Sequence, residues 1–541
     1  MPATSCKSEQ TLKTEGHLIS AAVALGAGTV KVLSPSEEKL CRKGGSSYDD
    51  ATRDWLKQSI LKGNDPLGDA FCRLRAPEVR RAKGATYTPT TIVRAMVGWA
   101  RARKEAPVRI VDPGVGSARF LMVAAQAFPN AELIGIDIDP LATLIARANL
   151  AATGLSARSE ILLGDYRAME LPPAVGKTLY LGNPPYVRHH LLDPQWKRWL
   201  TDESRKRGFT ASQLAGLHVH FFLATILQAS PGDFGSFVTS AEWLDVNYGS
   251  LVRELFLGAL GGQALTVVEP VASPFADAAT TAVISTFQIG SNPSGIAVKR
   301  VSDVRSIEPL GSGRLLDRGR FEAQPRWSQL TRRAREIPSG YVELGELCRV
   351  HRGQVTGANR IWIAGEHSAG LPLSVLFRSI TRAKELFNAG AILADNSSLK
   401  DVIDLPSDLS VLAAEDRRAV ERFLYRAKHA GADKGYIVEN RKAWWSVGLR
   451  EPAPILATYM ARRAPAFVRN RAQARHINIA HGLYPREALN EQTLISLVRY
   501  LNSGTSVADG RTYAGGLTKF EPREMERIPV PVPEVLLQQY P

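Results

Sequence analysis

The sequence has few cysteines and no long apolar run. Its four cysteines, Cys6, Cys41, Cys72 and Cys348, lie far apart in 541 residues. Because they form no CxxC pair or Cys/His cluster, a structural zinc site and a secreted disulfide scaffold are excluded, and a reducing cytoplasm is the expected compartment. No apolar stretch reaches the ~18 residues of a membrane helix without a polar interruption, so no membrane span is expected.

Acidic residues are outnumbered by basic ones. The chain has 68 Lys and Arg against 53 Asp and Glu, a net charge of +15, and 44% apolar residues, which excludes wholesale disorder. Residues 71–100 carry +5 and residues 301–541 carry +9, whereas residues 101–300 carry only +1. Two basic stretches therefore flank a near-neutral middle. This charge favours a polyanionic partner, most often nucleic acid, although a bias towards solubility is the alternative.

Short apolar strands alternate with amphipathic helices between about residues 84 and 290. This alternation is typical of an α/β fold with a mostly parallel sheet. Seven strands are predicted: Arg109–Asp112, Glu132–Asp137, Glu160–Leu163, Thr178–Gly182, Gly235–Ser240, Ala264–Val268 and Thr280–Gln288.

The sequence on either side of these strands predicts how the rest of the chain is divided. Residues 1–80 predict a short helical segment, with one helix over residues 48–62. The α/β domain is expected over residues 81–295, where it ends at the Gly/Ser/Pro-rich stretch GSNPSG. Residues 296–325 are expected to be a linker, and residues 326–541 a mixed α+β domain.

A glycine-rich turn follows the first predicted strand in RIVDPGVGSARF, residues 109–120. Gly114 and Gly116 allow a ligand to approach the backbone closely. Arg119 stands where a dinucleotide fingerprint has its third glycine, and Asp112 precedes the turn. A carboxylate there suits a cationic ligand better than pyrophosphate, and S-adenosylmethionine carries both an ammonium and a sulfonium group.

Two further acids lie at strand ends. Asp137 ends the second strand, where a carboxylate can accept hydrogen bonds from ribose hydroxyls. The alternative for Asp137 is a helix N-cap. Asp165 follows the third strand. Three acids at three neighbouring strand ends point to one cofactor site.

The fourth strand runs into Asn183-Pro184-Pro185-Tyr186. Two consecutive prolines prevent the strand from continuing and hold the asparagine at the edge where α/β sheets bind ligands. The Asn183 side-chain oxygen and the Pro184 carbonyl can each accept one N–H of an exocyclic amine, which localises its lone pair for attack on a methyl donor. Tyr186 offers a flat face on which a planar base can stack.

The order of these segments resembles the gamma class of N6-adenine DNA methyltransferases, of the restriction–modification or solitary type. GATYTP (84–89) comes first, then DPGVG, GIDIDP (135–140), GDY and NPPY. The likeness spans about residues 64 to 530. It implies a Rossmann-like class I methyltransferase domain with a seven-stranded sheet, followed by a target-recognition domain.

The resemblance also implies roles for individual residues. The S-adenosylmethionine-binding residues would be Tyr87, Thr88, Pro89, Asp112, Pro113, Gly114, Gly116, Asp137, Ile138, Asp165 and Tyr166. The target adenine would be held by Asn183, Pro184, Pro185 and Tyr186. Phe275 stands where the family has a second aromatic against the base; a core phenylalanine is the alternative. Ala118 and Arg119 depart from the family's GSGAF pattern, and Asp137 stands where glutamate is common.

Basic residues recur in the C-terminal half. ELGELCRVHRGQVTGANRIWI (343–363) resembles the start of the family's recognition domain, and Arg352 and Arg360 flank its loop. Arg441 and Lys442 precede two tryptophans. Such residues can contact phosphates, and arginine can read guanine edges. For any single arginine the alternative is a solvated helix face.

The expected function is site-specific methylation of adenine N6 in double-stranded DNA, on a base rotated out of the helix, without a metal. Ribosomal RNA adenine, a protein glutamine amide and a catalytically silent DNA-binding subunit are the alternatives. N4-cytosine is disfavoured because serine usually replaces Asn183 there. The roughly 80 residues before GATYTP are too few for a fused nuclease, so a separate restriction endonuclease is left open as a partner. A nucleoid-associated monomer is expected.

Overall fold

The computed structural model describes residues 12–44, 49–75, 88–269, 281–331, 337–439, 441–461, 463–505, 510–513 and 517–540. The chain divides into two compact units near residue 333. Tyr87 and Phe275 lie outside the described residues, so their predicted roles stay predictions.

Four helices open the first unit: α1 (Glu15–Ala24), α2 (Pro35–Lys43), α3 (Asp50–Leu61) and α4 (Pro66–Leu74). Each begins after a polar residue whose side chain accepts an amide N–H of the first turn. These caps are Thr14, Ser34, Asp49 and Asp65. The caps satisfy donors that have no partner within the helix, which explains where the helices start. The predicted helical segment is present.

The rest of the first unit alternates strands and helices. Its helices are α5 (Thr90–Arg101), α6 (Arg119–Ala127), α7 (Pro140–Ala152), α8 (Pro194–Arg205), α9 (Leu217–Gln228), α10 (Ser250–Leu257) and α11 (Arg318–Glu322). Its strands are β1 (Arg109–Asp112), β2 (Glu132–Asp137), β3 (Ser159–Leu163), β4 (Thr178–Gly182), β5 (Phe234–Ser240), β6 (Gly262–Val268), β7 (Ala282–Gln288), β8 (Gly295–Val301) and β9 (Arg314–Asp317).

These strands form one nine-stranded sheet in the order β3-β2-β1-β4-β5-β7-β6-β8-β9. Strands β3, β2, β1, β4 and β5 are parallel, and β7 runs antiparallel between β5 and β6. The carboxyl ends of the five parallel strands therefore meet at one edge. Successive residues point to opposite faces. Val111 and Tyr180 pack in one core, whereas Ile110 and Leu181 pack in the other.

The sheet has two strands more than expected. Residues 296–325, expected to be a linker, contain most of β8 and all of β9, and β8 pairs in parallel with β6. The expectation of a linker fails because the basic residues of β8 are partnered. Lys299 donates to the carbonyls of Ile307 and Glu308, and Arg300 pairs with Glu269 at 3.0 Å. The first unit accordingly continues beyond residue 325.

The N-terminal helices pack on α7 through a third core that includes Leu18, Phe71 and Leu144. At the edge of this core the buried Arg147 Nε donates to Glu37 Oε1 at 2.8 Å, and Arg147 Nη2 donates to the Ile161 carbonyl at 2.6 Å. Burial raises the pKa of Glu37, but the hydrogen bonds from Arg147 and Ser34 outweigh it and hold this pKa below its usual value. The N-terminal helices are thus an integral part of the first unit.

The second unit mixes short strands and helices. Its strands are β10 (Tyr341–Glu343), β11 (Cys348–Arg352), β12 (Leu376–Ile380), β13 (Ile392–Leu393), β14 (Lys400–Ile403), β15 (Ile455–Thr458), β16 (Met460–Ala461), β17 (Phe467–Asn470), β18 (Arg475–His476), β19 (Ala480–Pro485), β20 (Arg511–Tyr513), β21 (Leu517–Lys519) and β22 (Pro529–Pro531). Its helices are α12 (Leu344–Leu347), α13 (Asn359–Trp362), α14 (Ala383–Ala389), α15 (Ala414–His429), α16 (Tyr436–Glu439), α17 (Glu491–Gly504), α18 (Pro522–Met525) and α19 (Pro533–Gln539).

The largest sheet of this unit has five strands in the order β11-β19-β15-β17-β13. Helix α17 packs on it through Leu497, Val498 and Leu501, which are buried with Phe467 of β17. This is the mixed α+β architecture expected of the C-terminal half. Within the ranges that the structure describes, no helix of either unit is long and apolar enough to cross a membrane.

Candidate active site

A cavity opens at the edge of the first unit where β1, β2, β3 and β4 end. It brings together ten of the residues predicted from the sequence, which are Thr88, Pro113, Gly114, Gly116, Asp137, Ile138, Asp165, Tyr166, Asn183 and Pro185. Segments almost 100 positions apart in the chain therefore meet in one site. Pro89, the residue before α5, follows Thr88 in the chain and is not among the residues that line the cavity.

Asp137 braces the glycine-rich turn. Its Oδ2 accepts the Gly116 amide at 3.0 Å and its Oδ1 accepts the Asp139 amide at 3.0 Å. The N-cap of α7 is Asp139, whose Oδ1 accepts the Leu141 amide, so the alternative role of Asp137 as the cap is not what the structure shows. Burial is the main cause that raises the pKa of Asp137 to about 6.

The two glycines of the turn are required for different reasons. Gly116 has φ +51°, in the left-handed region that L side chains adopt at a cost. Gly114 has no such constraint. A Cβ there would lie 3.8 Å from both the Asn183 carbonyl oxygen and Pro185 Cδ, which is ordinary contact. The protein itself would tolerate a methyl group at position 114, so the space above Gly114 is available to a ligand.

Asp112 lies beneath the turn and is fully buried. Its Oδ1 accepts the Gly114 amide at 3.3 Å, and its Oδ2 has no hydrogen-bond partner among the described residues. Burial raises the pKa of Asp112 to about 8. A buried acceptor without a partner fits a ligand that brings an ammonium group.

Part of the cavity lining suits a nucleoside. Ile138 directly follows Asp137 and is half exposed, an apolar side chain open to the cavity. Acidic and apolar groups side by side are the set that S-adenosylmethionine requires, with acceptors for its ammonium and ribose hydroxyls and an apolar surface for its adenine. The residues present therefore fit this cofactor.

Asp165 is held by an arginine that the sequence did not single out. Arg167 Nε donates to Asp165 Oδ1 at 2.9 Å, and Arg167 Nη2 donates to Asp165 Oδ2 at 2.6 Å. The guanidinium lies 3.9 Å from the centre of the Trp196 ring. Such a bidentate pair fixes the carboxylate in one orientation at the wall of the cavity.

Asn183 follows β4 and its amide is oriented by a neighbour. Its Nδ2 donates to Thr88 Oγ1 at 3.1 Å, and Thr88 is buried. Because the Asn183 Nδ2 faces Thr88, the Asn183 Oδ1 faces the opposite way, where it can accept a hydrogen bond. Pro184 is buried behind it. The Asn183 amide is thus oriented by the protein's own contacts.

Tyr186 is fixed at its hydroxyl and at one face. The hydroxyl donates to Glu242 Oε2 at 2.6 Å, and Tyr248 donates to the same oxygen at 2.8 Å. The ring stacks on His218, with centres 5.6 Å apart and planes at 28°. Burial lowers the pKa of His218 to about 4, so the imidazole is neutral at pH 7. Burial, followed by the Glu242 charge, raises the pKa of Tyr186 far above its usual value.

Sequence reasoning missed Glu242, His218 and Tyr248. Glu242 lies just beyond the end of β5, the next parallel strand of the same sheet edge. The rule that singled out the acids after β1, β2 and β3 would have found it. His218 lies inside the apolar helix α9 and carried no such signal.

The four basic residues predicted to contact DNA lie in the second unit and differ in their surroundings. Arg352, Arg360 and Lys442 are exposed, and Arg360 Nη2 also donates to the Ala430 carbonyl at 2.8 Å. Arg441 is half buried: its Nη2 donates to the Val355 carbonyl at 2.6 Å and its Nη1 to the Trp444 carbonyl at 3.4 Å. Arg441 thus supports the loop that Arg352 and Arg360 flank.

Comparison with known proteins agrees with this geometry. Residues 62–233 match the N-6 DNA methylase family, and residues 327–540 match the C-terminal domain of the Type II methyltransferase M.Eco57I. The Type II methyltransferase M.XamI of Xanthomonas campestris pv. amaranthicola is 50% identical over 502 residues, which are 93% of this chain and 92% of that protein.

More distant likenesses also extend over most of the chain. The Type II methyltransferase M.AccI of Acinetobacter calcoaceticus is 22% identical over 86% of this chain and 88% of its own. The solved type IIG restriction endonuclease BpuSI is 14% identical with a TM-score of 0.46, over 98% of this chain and 72% of that chain.

Fold and site together define an S-adenosylmethionine-dependent methyltransferase of the Rossmann-like class I type. The chain belongs to the Type II methyltransferase family, which also includes its 50% identical relative M.XamI. The predicted fold class, cofactor and restriction–modification context are confirmed.

Proposed function

We propose that the protein is a site-specific methyltransferase that modifies N6 of an adenine rotated out of double-stranded DNA. The observation that carries the proposal is the orientation of Asn183 at the end of β4, held by Thr88 and backed by the buried Pro184. The match of residues 62–233 to the N-6 DNA methylase family supports the same base and the same nucleic acid.

The chemistry follows from what these groups accept. The exocyclic amine of adenine is a poor nucleophile because its lone pair is delocalised into the ring. The Asn183 Oδ1 and the Pro184 carbonyl accept its two N–H groups, which localises the lone pair and stabilises the positive charge that develops on nitrogen. Tyr186 stacks on the base with the face opposite His218. When bound, S-adenosylmethionine supplies an electrophilic methyl group.

The cofactor residues are proposed as one set. Gly114 and Gly116 would leave room for the methionine part, Asp112 would face its ammonium, Asp137 its ribose, and Ile138 its adenine. Six further positions are carried over from the resemblance: Tyr87, Thr88, Pro89, Pro113, Asp165 and Tyr166. Phe275 is proposed as the second aromatic against the base. None of these steps requires a metal ion.

Arg352, Arg360 and Lys442 are proposed to contact DNA, since they are exposed and belong to the basic half of the chain. They would hold the backbone while the base leaves the stack, at a cost of about a few kcal/mol. We further propose a cytoplasmic monomer that works beside a separate restriction endonuclease. RNA, protein glutamine and a silent subunit are less well supported, because the family match is to DNA methylases and the acids at the strand ends are intact.

Transfer of a tritiated methyl group tests the proposal, with DNA, RNA and protein as acceptors and mass spectrometry to identify the modified nucleoside. DNA should be labelled as N6-methyladenine. Asn183→Ala should lower the rate by about 10²–10³-fold or more, with little change in cofactor affinity. Asn130→Ala, an exposed asparagine in the same unit, is the matched control. Label in RNA or protein alone, or an Asn183→Ala enzyme of full activity, would refute the proposal.

A further inference from the structure

One carboxylate of the N-terminal helices contacts the glycine-rich turn. Asp65, the N-cap of α4, accepts the Gly68 amide through Oδ1 at 2.9 Å, as a cap does. The same side chain is buried, and it accepts three further hydrogen bonds from outside its own helix. A helix cap requires only the first of these four bonds.

The three further bonds come from the turn and from the helices that flank it. Arg119 Nε donates to Asp65 Oδ2 at 2.7 Å, Ser117 Oγ donates to the same oxygen, and Asn149 Nδ2 donates to Oδ1 at 3.1 Å. Arg119 begins α6 and Asn149 lies in α7. A single carboxylate therefore joins α4 to the turn and to both helices.

The turn needs such support because its backbone is unfavourable. Ala118 has φ +68° and ψ +24°, a left-handed conformation that costs a non-glycine residue about 1–2 kcal/mol. Asp65 binds the residues on both sides of Ala118. Asn149 adds a bond from its Nδ2 to the Ser117 carbonyl at 2.9 Å.

The same helix α4 contributes to the cavity wall. Phe71 lines the cavity, and Asp69 Oδ1 accepts Arg119 Nη2 at 2.7 Å. The positive charge of Arg119, which departs from the family's pattern, is thereby neutralised by two acids of the N-terminal helices. Gly68 leaves room for this arrangement, since a Cβ at that position would lie 2.2 Å from Asp65 Oδ2.

We propose that Asp65 is a positioning residue for the cofactor: through it, the N-terminal helices hold residues 116–119 in the shape that binds S-adenosylmethionine. It acts through Ser117 and Arg119 and does not itself line the cavity. Four donors converge on it, and only an ionised carboxylate, which accepts at both oxygens and donates at neither, satisfies them all.

The test is calorimetric titration of the full chain with S-adenosylmethionine in the absence of DNA. Asp65→Asn places an amide donor among four donors. The Kd of this variant for S-adenosylmethionine should rise by about tenfold or more, because one hydrogen bond to a charged group contributes free energy on that scale. In steady-state methyl transfer at saturating DNA, the KM for S-adenosylmethionine should rise while kcat changes little. Because the titration contains no DNA, it is independent of which base the enzyme modifies.

Glu37→Gln is the matched control, since Glu37 is also a buried carboxylate of the N-terminal helices paired with an arginine, but its partner Arg147 does not line the cavity. It should lower the melting temperature and leave the Kd within twofold of the wild type. An Asp65→Asn protein with wild-type Kd overturns the proposal, as do equal losses in the two variants. If Asp65→Asn does not fold, Ser117→Ala, which removes one of the four bonds, should raise the Kd about threefold, and an unchanged Kd overturns the proposal.

Discussion

The hydroxyl of Tyr186 donates to Glu242 Oε2 over 2.6 Å, and so the aromatic ring proposed to stack on the target base is anchored to the end of a different strand. Glu242 also accepts the Tyr248 hydroxyl at 2.8 Å, and His218 supports the ring from one face. The position of the ring is thus determined before a base arrives.

Removal of this anchor should slow methyl transfer without abolishing it. Tyr186→Phe keeps the ring and the stack but loses the bond to Glu242, so the rate of a single turnover should fall about 3–10-fold. Tyr248→Phe removes the other bond to Glu242 and should have a smaller effect. Rapid-quench measurement of a single turnover compares the rates of the two variants. An equal or larger loss of rate in Tyr248→Phe would contradict this role of Tyr186.

The two glycines of the turn should respond differently to alanine. Gly114→Ala should leave the free energy of unfolding unchanged within about 0.5 kcal/mol, because the added Cβ meets only ordinary contacts. It should nevertheless weaken cofactor binding, since it occupies ligand space. Gly116→Ala should cost about 1–2 kcal/mol of stability because of its positive φ. Urea unfolding and cofactor titration of both variants check the contrast, which would fail if Gly114→Ala bound as tightly as the wild type.

Stability without cofactor should depend on pH through Asp112. Its pKa is raised by burial to about 8, so its contribution is complete below the unfolded pKa of ~4 and is lost as the pH rises through 8. Between about pH 4 and pH 8 the free energy of unfolding should fall by ~1.4 kcal/mol per pH unit, and it should level off above pH 8. Asp112→Asn should flatten this slope. Asp137, with a pKa raised to about 6, acts in the same direction at lower pH. Urea unfolding across this range is the measurement, and an equal slope in Asp112→Asn would exclude Asp112 as its source.

The basic residues of the second unit should separate into two kinds. Arg352→Ala and Lys442→Ala should weaken DNA binding and each lower the salt dependence by about one phosphate contact. Arg441→Ala should instead lower stability, because its guanidinium holds two backbone carbonyls. Arg42→Ala, an exposed arginine of the first unit, controls for the change in charge. Filter binding at several salt concentrations tests this. If Arg42→Ala weakened DNA binding as much as Arg352→Ala, the positive net charge would be explained by solubility and not by a specific DNA contact.

Local signals made the parallel part of the sheet predictable. β1, β2 and β4 begin and end at the predicted residues because an apolar run there stops at an acid, or at a Gly-Asn step before two prolines. β8 was not recognised, since its Lys299 and Arg300 are typical of a linker until their partners are known. Those partners lie in other segments, where no pattern in the strand itself points to them.

The candidate site also has residues that the sequence reveals locally and contacts that it does not reveal. Asp137, Asn183 and the glycines carry their signal within a few residues, at strand ends that a sequence reveals. The bond between Asn183 and Thr88, and the convergence of Ser117, Arg119 and Asn149 on Asp65, depend on packing between distant helices. Asp65 by itself looks like an ordinary helix cap, and nothing in its neighbours along the chain distinguishes it from Asp49.

The contact between Asp65 and Asn149 also has a consequence for protein synthesis. The two residues are 84 positions apart, and Thr88 precedes its partner Asn183 by 95. While the chain is being translated, the N-terminal helices lack the glycine-rich turn until residue 119 has emerged from the ribosome, and they lack their core partner α7 until residue 152 has emerged. The proposed catalytic amide is oriented only after β4 emerges. A nascent chain that ends before residue 183 therefore lacks the proposed catalytic amide.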